Sequence, residues 1–193
     1  MIADLVRKTR SYRKFYQDER VQIETLEELI DLARLGGSAR NIQPLKYLLV
    51  NEPEECAAFF PHLGWAGYLA KWSGPQEGER PAAYIVCLLD TRLSKEADCD
   101  LGIASQNILL GATERGLGGC RIASFSPALA NDLELPAYLS VLLVLALGKP
   151  KEQVVIDSAD GGEIKYWRDD RQIHHVPKRS LAELIFRRER TGL

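Results

Sequence analysis

The stretch Arg7-Lys8-Thr9-Arg10-Ser11-Tyr12-Arg13-Lys14 sets Arg10 and Arg13 three residues apart with a hydroxyl between them. Guanidinium forks beside a serine donor match the geometry of a phosphate oxyanion, although a basic run in a surface turn can equally stay solvated. A second basic pair, Lys178-Arg179, stands immediately before Ser180-Leu181-Ala182-Glu183, whose serine and glutamate have capping-box spacing. Cations beside a helix N-terminus favour bound anions. Between these clusters, Ser38-Ala39-Arg40-Asn41-Ile42-Gln43-Pro44-Leu45-Lys46-Tyr47 concentrates amide and hydroxyl groups in a segment shaped as a loop. Such groups either hydrogen-bond a polar heterocycle or close a helix C-cap and turn, with Asn41 and Gln43 bonded to backbone.

Other chemistries lack their residues. Gly116-Leu117-Gly118-Gly119 follows a helical pattern and precedes a strand, the reverse of a dinucleotide-binding turn, and reads as a helix stop. The sequence has no Walker lysine-serine loop, no Gly-x-Ser-x-Gly elbow and no His-Glu-x-x-His. His174 and His175 on a strand would point to opposite faces and read as partly exposed structural histidines. Glu27-Glu28 and Asp169-Asp170 fall on solvent-facing turns. Anion-clamping groups at both ends, without a side-chain set for unaided catalysis, imply a cofactor that brings the reactivity.

The elements that must position these groups follow from periodicity. Leu26, Leu29, Ile30 and Ala33 share one face of a helix over Glu24 to Ala33, with Thr25 and Glu28 spaced as its cap and Gly36-Gly37 as its stop. Lys46 to Asn51 reads as a strand and Pro53 to His62 as a short helix. Residues 64–81 read as a surface loop with a little helix. Ala82 to Asp90 is continuously apolar, as a strand covered on both faces would be. Leu101 to Arg115 forms a largely buried helix, ended by Gly116, Gly118 and Gly119. Strands over Cys120 to Phe125 and Ser140 to Leu147 flank a helix started by Ser126-Pro127. Ile164 to Arg168 and Ile173 to Val176 suit a hairpin, and the capped last helix runs to about Arg188.

Length and charge bound the rest. At 193 residues, with 46% hydrophobic and 27% charged residues, the chain reads as a single globular domain over 1–193. Twenty-five Lys and Arg against 27 Asp and Glu give a net charge of −2, which argues against a nucleic-acid binder. Cys56, Cys87, Cys99 and Cys120 lack metal-ligand spacing and read as reduced, buried, small hydrophobes. Without a signal-peptide pattern or a run long enough to span a bilayer, a cytoplasmic protein with no membrane association is expected.

Five segments in order carry a resemblance: Arg10-Ser11-Tyr12-Arg13-Lys14-Phe15, Ser38-Ala39-Arg40-Asn41-Ile42-Gln43-Pro44, Asp100-Leu101-Gly102-Ile103-Ala104-Ser105-Gln106-Asn107, Leu117-Gly118-Gly119-Cys120 and Val176-Pro177-Lys178-Arg179-Ser180-Leu181. Their order and spacing resemble the nitroreductase family of FMN-dependent oxidoreductases across nearly the whole chain. The resemblance implies an α+β fold, a central and mainly antiparallel sheet flanked by helices, in an intertwined homodimer with FMN at the subunit interface. It implies that Arg10, Ser11 and Arg13 hold the FMN phosphate with Lys178 or Arg179. Ser38, Asn41, Gln43 and Pro44 of the second subunit would line the flavin, and Ala123 and Ser124 would lie beside its ring. Relatives often carry Gly or Glu-Gly at 123–124, so bulk near the ring differs here.

Arg40, Trp65, Tyr68 and Lys71 become candidates for the acceptor pocket, Arg40 facing an anionic substrate or solvent and the aromatics lining a pocket or packing an irregular loop. The implied activity passes electrons from NAD(P)H through flavin N5 to an electron-poor small molecule, of nitroaromatic or quinone type, in alternating half-reactions. Dehalogenation, flavin fragmentation and a non-catalytic flavin-binding dimer are the alternatives.

Overall fold

A computed structural model of the protein describes residues 1–188. The first half runs α1 (Ile2–Lys8), β1 (Phe15–Tyr16), α2 (Ile23–Arg34), β2 (Leu45–Val50), α3 (Pro53–Phe59) and β3 (Ala83–Asp90). The second runs α4 (Asp98–Glu114), β4 (Gly118–Ile122), α5 (Leu129–Asp132), β5 (Leu139–Pro150), β6 (Val154–Ser158), β7 (Trp167–Arg168), β8 (His174–Lys178) and α6 (Leu181–Leu184).

The two most continuous apolar runs of the sequence, β3 and β5, pair antiparallel from Ala83↔Leu147 to Asp90↔Leu139. β2 joins β3, and β4 and β1 join β5, all antiparallel. All eight residues of β3 are buried because both faces of the sheet are covered. Period-two alternation then divides the core. Ala83, Ile85 and Cys87 of β3, with Leu143, Leu145 and Leu147 of β5, pack against α2 and α4. Tyr84, Val86 and Leu88, with Val144 and Ala146, face α3 and Leu129 of α5. A smaller sheet orders β6-β8-β7, parallel on one side and antiparallel on the other.

Two glycines are fixed by close approach. A Cβ at Gly111 of α4 would lie 2.3 Å from Leu32 Cδ1 and 2.9 Å from Leu29 Cδ2, so α2 and α4 meet there at short range. A Cβ at Gly119 of β4 would meet Leu109 Cδ2 at 2.5 Å and the Ala146 carbonyl oxygen at 2.9 Å. Gly119 also accepts the Tyr12 N–H at 3.0 Å, which lays the Arg10–Lys14 segment beside β4.

Several expectations are corrected. Helix α2 starts earlier, with Gln22 as an N-cap that makes no side-chain cap bond, so Thr25 and Glu28 lie inside the helix. Gly118 and Gly119 belong to β4, because the strand needs them at its crowded crossing. Ser126 shapes a turn by accepting the Ala128 N–H at 3.2 Å, and α5 begins at Leu129. No α-helix forms within residues 64–81. Cys99, in the first turn of α4, is exposed, whereas Cys56, Cys87 and Cys120 are buried free thiols. The Ser180–Glu183 capping box is present, but α6 ends at Leu184 with Ile185 extended.

Candidate functional site

The Arg10–Lys14 segment is held from three directions. Helix α1 hands over at Thr9, whose hydroxyl donates to the Leu5 carbonyl oxygen at 2.7 Å and lies 2.9 Å from Thr113 Oγ1 of α4. Arg10 Nη2 donates back to the Val6 carbonyl oxygen at 2.7 Å. Glu152, just after β5, accepts the backbone N–H of Arg13 through a short bond and that of Lys14 at 3.2 Å. The other Glu152 oxygen accepts from Arg168 Nη2 at 2.8 Å, with side-chain exposures of 7% for Arg168 and 2% for Glu152. That buried ion pair ties the small sheet to the segment.

Arg13 is buried, and its guanidinium is shaped by two rings. It lies 4.7 Å from the centre of Tyr166, and Nη1 is 3.2 Å from Nε2 of the fully buried His174. Burial, with the nearby Arg13 and Arg168 charges, pulls the His174 pKa down to about 4. The imidazole is therefore neutral near pH 7. Arg13 donates to Nε2, which assigns the proton to Nδ1. This corrects the expectation of a partly exposed histidine: β8 runs inside the smaller sheet, and its first residue turns inward.

These groups open onto a cavity of about 470 Å³ whose lining includes Arg10, Ser11, Arg13, Arg121, Tyr166 and Lys178. Arg13, Arg121 and Tyr166 also line a second cavity of about 290 Å³ with Trp65, Ala123 and Ser124, so the two form one trough with a shared waist. The Gly64 N–H donates to the Ser124 carbonyl oxygen at 2.8 Å and closes one end. Among the described lining residues there are four cations, Arg10, Arg13, Arg121 and Lys178, and no carboxylate. The Nε atoms of Arg10 and Arg13 are buried without a hydrogen-bond partner. Such a donor set fits a phosphate at one end and a flat, polar ring at the other.

Lys178 and Arg179 separate. Lys178 lines the trough, while Arg179 Nη1 lies 3.6 Å from Glu183 on the first turn of α6. Trp65 stacks on Phe60 at 5.8 Å between ring centres. Tyr68 rests on Tyr166 at 4.9 Å outside the trough's lining, and Lys71 is exposed.

The 38–44 loop lies elsewhere in this chain. Arg40, Asn41 and Gln43 have φ of 51°, 56° and 53°, left-handed conformations costing about 1 kcal/mol or more apiece in non-glycine residues. Polar bonds offset that cost. Buried Asp100 accepts from Ser38 Oγ at 2.5 Å and the Ala39 N–H at 2.9 Å, and Ser38 Oγ accepts the Gln43 N–H at 2.9 Å. Gln43 Nε2 donates to Asn41 Oδ1 at 3.1 Å. Ser38, Gln43 and Pro44 line a cavity of about 260 Å³ with Asp100 and Tyr47, separate from the trough.

Arg121, Tyr166, His174 and Glu152 were not candidates from sequence. Arg121 had a readable signal: on a strand, it shares a face with Gly119 and Ala123.

Residues 6–149 match the family model described as Nitroreductase family. A protein of Methanothermobacter thermautotrophicus named "Putative NADH dehydrogenase/NAD(P)H nitroreductase" is 30% identical over 159 residues, 78% of each chain. The crystal structure of a nitroreductase family protein from Clostridium novyi NT aligns with a TM-score of 0.65 at 25% identity, over 78% of this chain and 87% of that one. An NADPH:FMN oxidoreductase from Vibrio harveyi, complexed with NAD+, aligns with a TM-score of 0.61 at 24% identity, over 78% of this chain and 69% of that one. With three quarters of its length matched by the family model and this fold beneath it, the chain belongs to the nitroreductase family.

Proposed function

We propose that the protein is an FMN-dependent oxidoreductase that takes electrons from NAD(P)H and passes them to an electron-poor acceptor. The observation that carries this reading is the trough: four cations without a carboxylate at its lining, two of them with buried unpartnered nitrogens, leading to the cavity beside Ala123 and Ser124. The relatives' printed names, NAD(P)H nitroreductase and NADPH:FMN oxidoreductase, support the cofactor and the donor.

Arg10, Ser11, Arg13 and Lys178 hold the phosphate, Arg10 and Lys178 as charges and Arg13 as a buried fork oriented by His174, its backbone anchored by Glu152. Ala123 and Ser124 bound the ring, and Trp65 closes the far side. Bound FMN supplies hydride acceptance and donation; the protein supplies orientation and electrostatic stabilisation. The spent nicotinamide leaves before the acceptor enters, because one open face serves both, and nitroaromatics or quinones suit such a face.

A second copy completes the site. Ser38, Asn41, Gln43 and Pro44 lie away from their own chain's trough, and a homodimer would bring the second copy's loop against the ring, with Arg40 at the acceptor's entrance beside Tyr68 and Lys71. Four free thiols fit a reducing, cytoplasmic setting.

The test is the visible spectrum of the purified protein, loaded with FMN if necessary, followed by anaerobic additions of NADH and NADPH. Flavin absorbance bleached by one or both nicotinamides, and restored by a quinone or nitroaromatic, is expected. A protein that is colourless and cannot be loaded with FMN rules the reading out.

A further inference from the structure

The waist of the trough holds more positive charge than a phosphate needs. Arg10 and Lys178 lie toward the larger cavity, whereas Arg13 and Arg121 line both cavities. A phosphate brings at most two negative charges, leaving about two of the four cations without an anion. A flavin ring that accepts two electrons and one proton, delivered together as a hydride, passes from neutral to one negative charge. Arg121, which is not among the phosphate's proposed ligands, lines both cavities between the phosphate end and the ring end, where that charge would appear.

The Arg121 guanidinium is bonded only to neutral side chains. Its Nε donates to Ser105 Oγ and its Nη2 to Gln106 Oε1, both at 2.9 Å and both from α4. These neutral acceptors orient the fork without cancelling its charge, and no carboxylate pairs with it among the described residues. Arg13 also has neutral partners for its fork, His174 and the Ser11 carbonyl oxygen, but it is committed to the phosphate. Cys120 and Ile122 of β4 point into the core, so Arg121, between them, projects from the opposite face with Gly119 and Ala123. Burial pulls the Arg121 pKa down, and the guanidinium stays cationic. Arg121 is exposed at the trough's surface; a ring lying against it would displace water and strengthen its interaction with a new charge.

We propose that Arg121 raises the reduction potential of the ring bound in this trough by stabilising its reduced, anionic form, and so sets which acceptors the protein can reduce. The inference rests on the trough being the FMN site.

The test compares wild type with Arg121→Gln and Arg121→Lys in FMN affinity and in the midpoint potential of the bound flavin, read spectroscopically against a reference dye. In Arg121→Gln, preference for reduced over oxidised flavin should fall about tenfold, a potential lower by about 30 mV for a two-electron couple. Affinity for oxidised FMN should change less than about threefold, and Arg121→Lys should retain most of the wild-type potential. Repeating the titration with riboflavin, which has no phosphate, should preserve the shift.

An unchanged potential in Arg121→Gln overturns the proposal. So does weakened binding of oxidised FMN that disappears with riboflavin, since Arg121 would then be a phosphate ligand. Should Arg121→Gln fold poorly, Arg121→Met preserves the side-chain stem and gives the same reading. Wild type that binds no flavin would sink the functional assignment instead, so the two failures are distinguishable.

Discussion

At the scale of single residues, the site depends on charged groups whose partners are neutral. His174 holds Arg13 by accepting from it, and only the neutral imidazole can do so. Its pKa of about 4 in the folded protein lies below the ordinary 6.5, so between those values the unfolded chain binds a proton that the folded chain refuses. Stability from this residue therefore falls as pH drops through that window, by up to about 3 kcal/mol at pH 4, and is unaffected above 6.5. Urea unfolding of the flavin-free protein at pH 4.5 and pH 7 checks this, with His174→Gln as the comparison. The amide keeps an acceptor for Arg13 but does not titrate, so the variant should lose less stability between the two pH values than wild type. Equal losses would show that His174 titrates normally in the fold.

At the scale of elements, the trough is assembled by strands far apart in sequence. Glu152 joins the backbone of residues 13 and 14 to Arg168 in β7, and through it to the hairpin carrying His174 and Lys178. Removing one partner of a buried pair strands the other charge, at a cost of about 3–5 kcal/mol. Glu152→Gln is therefore expected to destabilise by about 3 kcal/mol in chemical unfolding. Adding Arg168→Met should recover part of that loss, because the stranded cation is gone; a double variant as unstable as the sum of the singles would show no coupling.

The same wiring explains what the sequence could tell. β3 was readable because eight apolar residues in succession admit one environment, a strand covered on both faces. Arg10, Ser11 and Arg13 were readable as a cluster because they are local. Glu152, Tyr166 and His174 were not, since each acts on Arg13 from about 140 to 160 positions along the chain and nothing in its own neighbourhood marks it. The end of α6 is not legible in the sequence for a related reason: a capping box starts a helix without setting its length, and apolar residues beyond Leu184 remain exposed instead of packing as a helical face.

At the scale of the whole molecule, those exposed residues and the displaced loop point to the proposed dimer. Leu181, Leu184 and Phe186 are 71%, 67% and 89% exposed on the last described segment, an apolar surface of the kind that marks an interface. The loop bearing Ser38 and Gln43 lines a different cavity of its own chain from those that Arg13 lines. If each flavin is bound by Arg13 of one copy and the 38–44 loop of the other, a damaged trough and a damaged loop can complement each other. Arg13→Ala alone and the Ser38→Ala, Gln43→Ala double variant alone should each bind FMN at least tenfold more weakly than wild type. Unfolded together in equal amounts and refolded, they form heterodimers in about half of the dimers, each with one intact site and one doubly damaged site, so about a quarter of all sites should regain wild-type affinity. Fluorescence titration of FMN reads this as a tight-binding fraction absent from either variant refolded by itself. If trough and loop belonged to the same chain's site, every site in the mixture would carry one defect, and no tight fraction would appear.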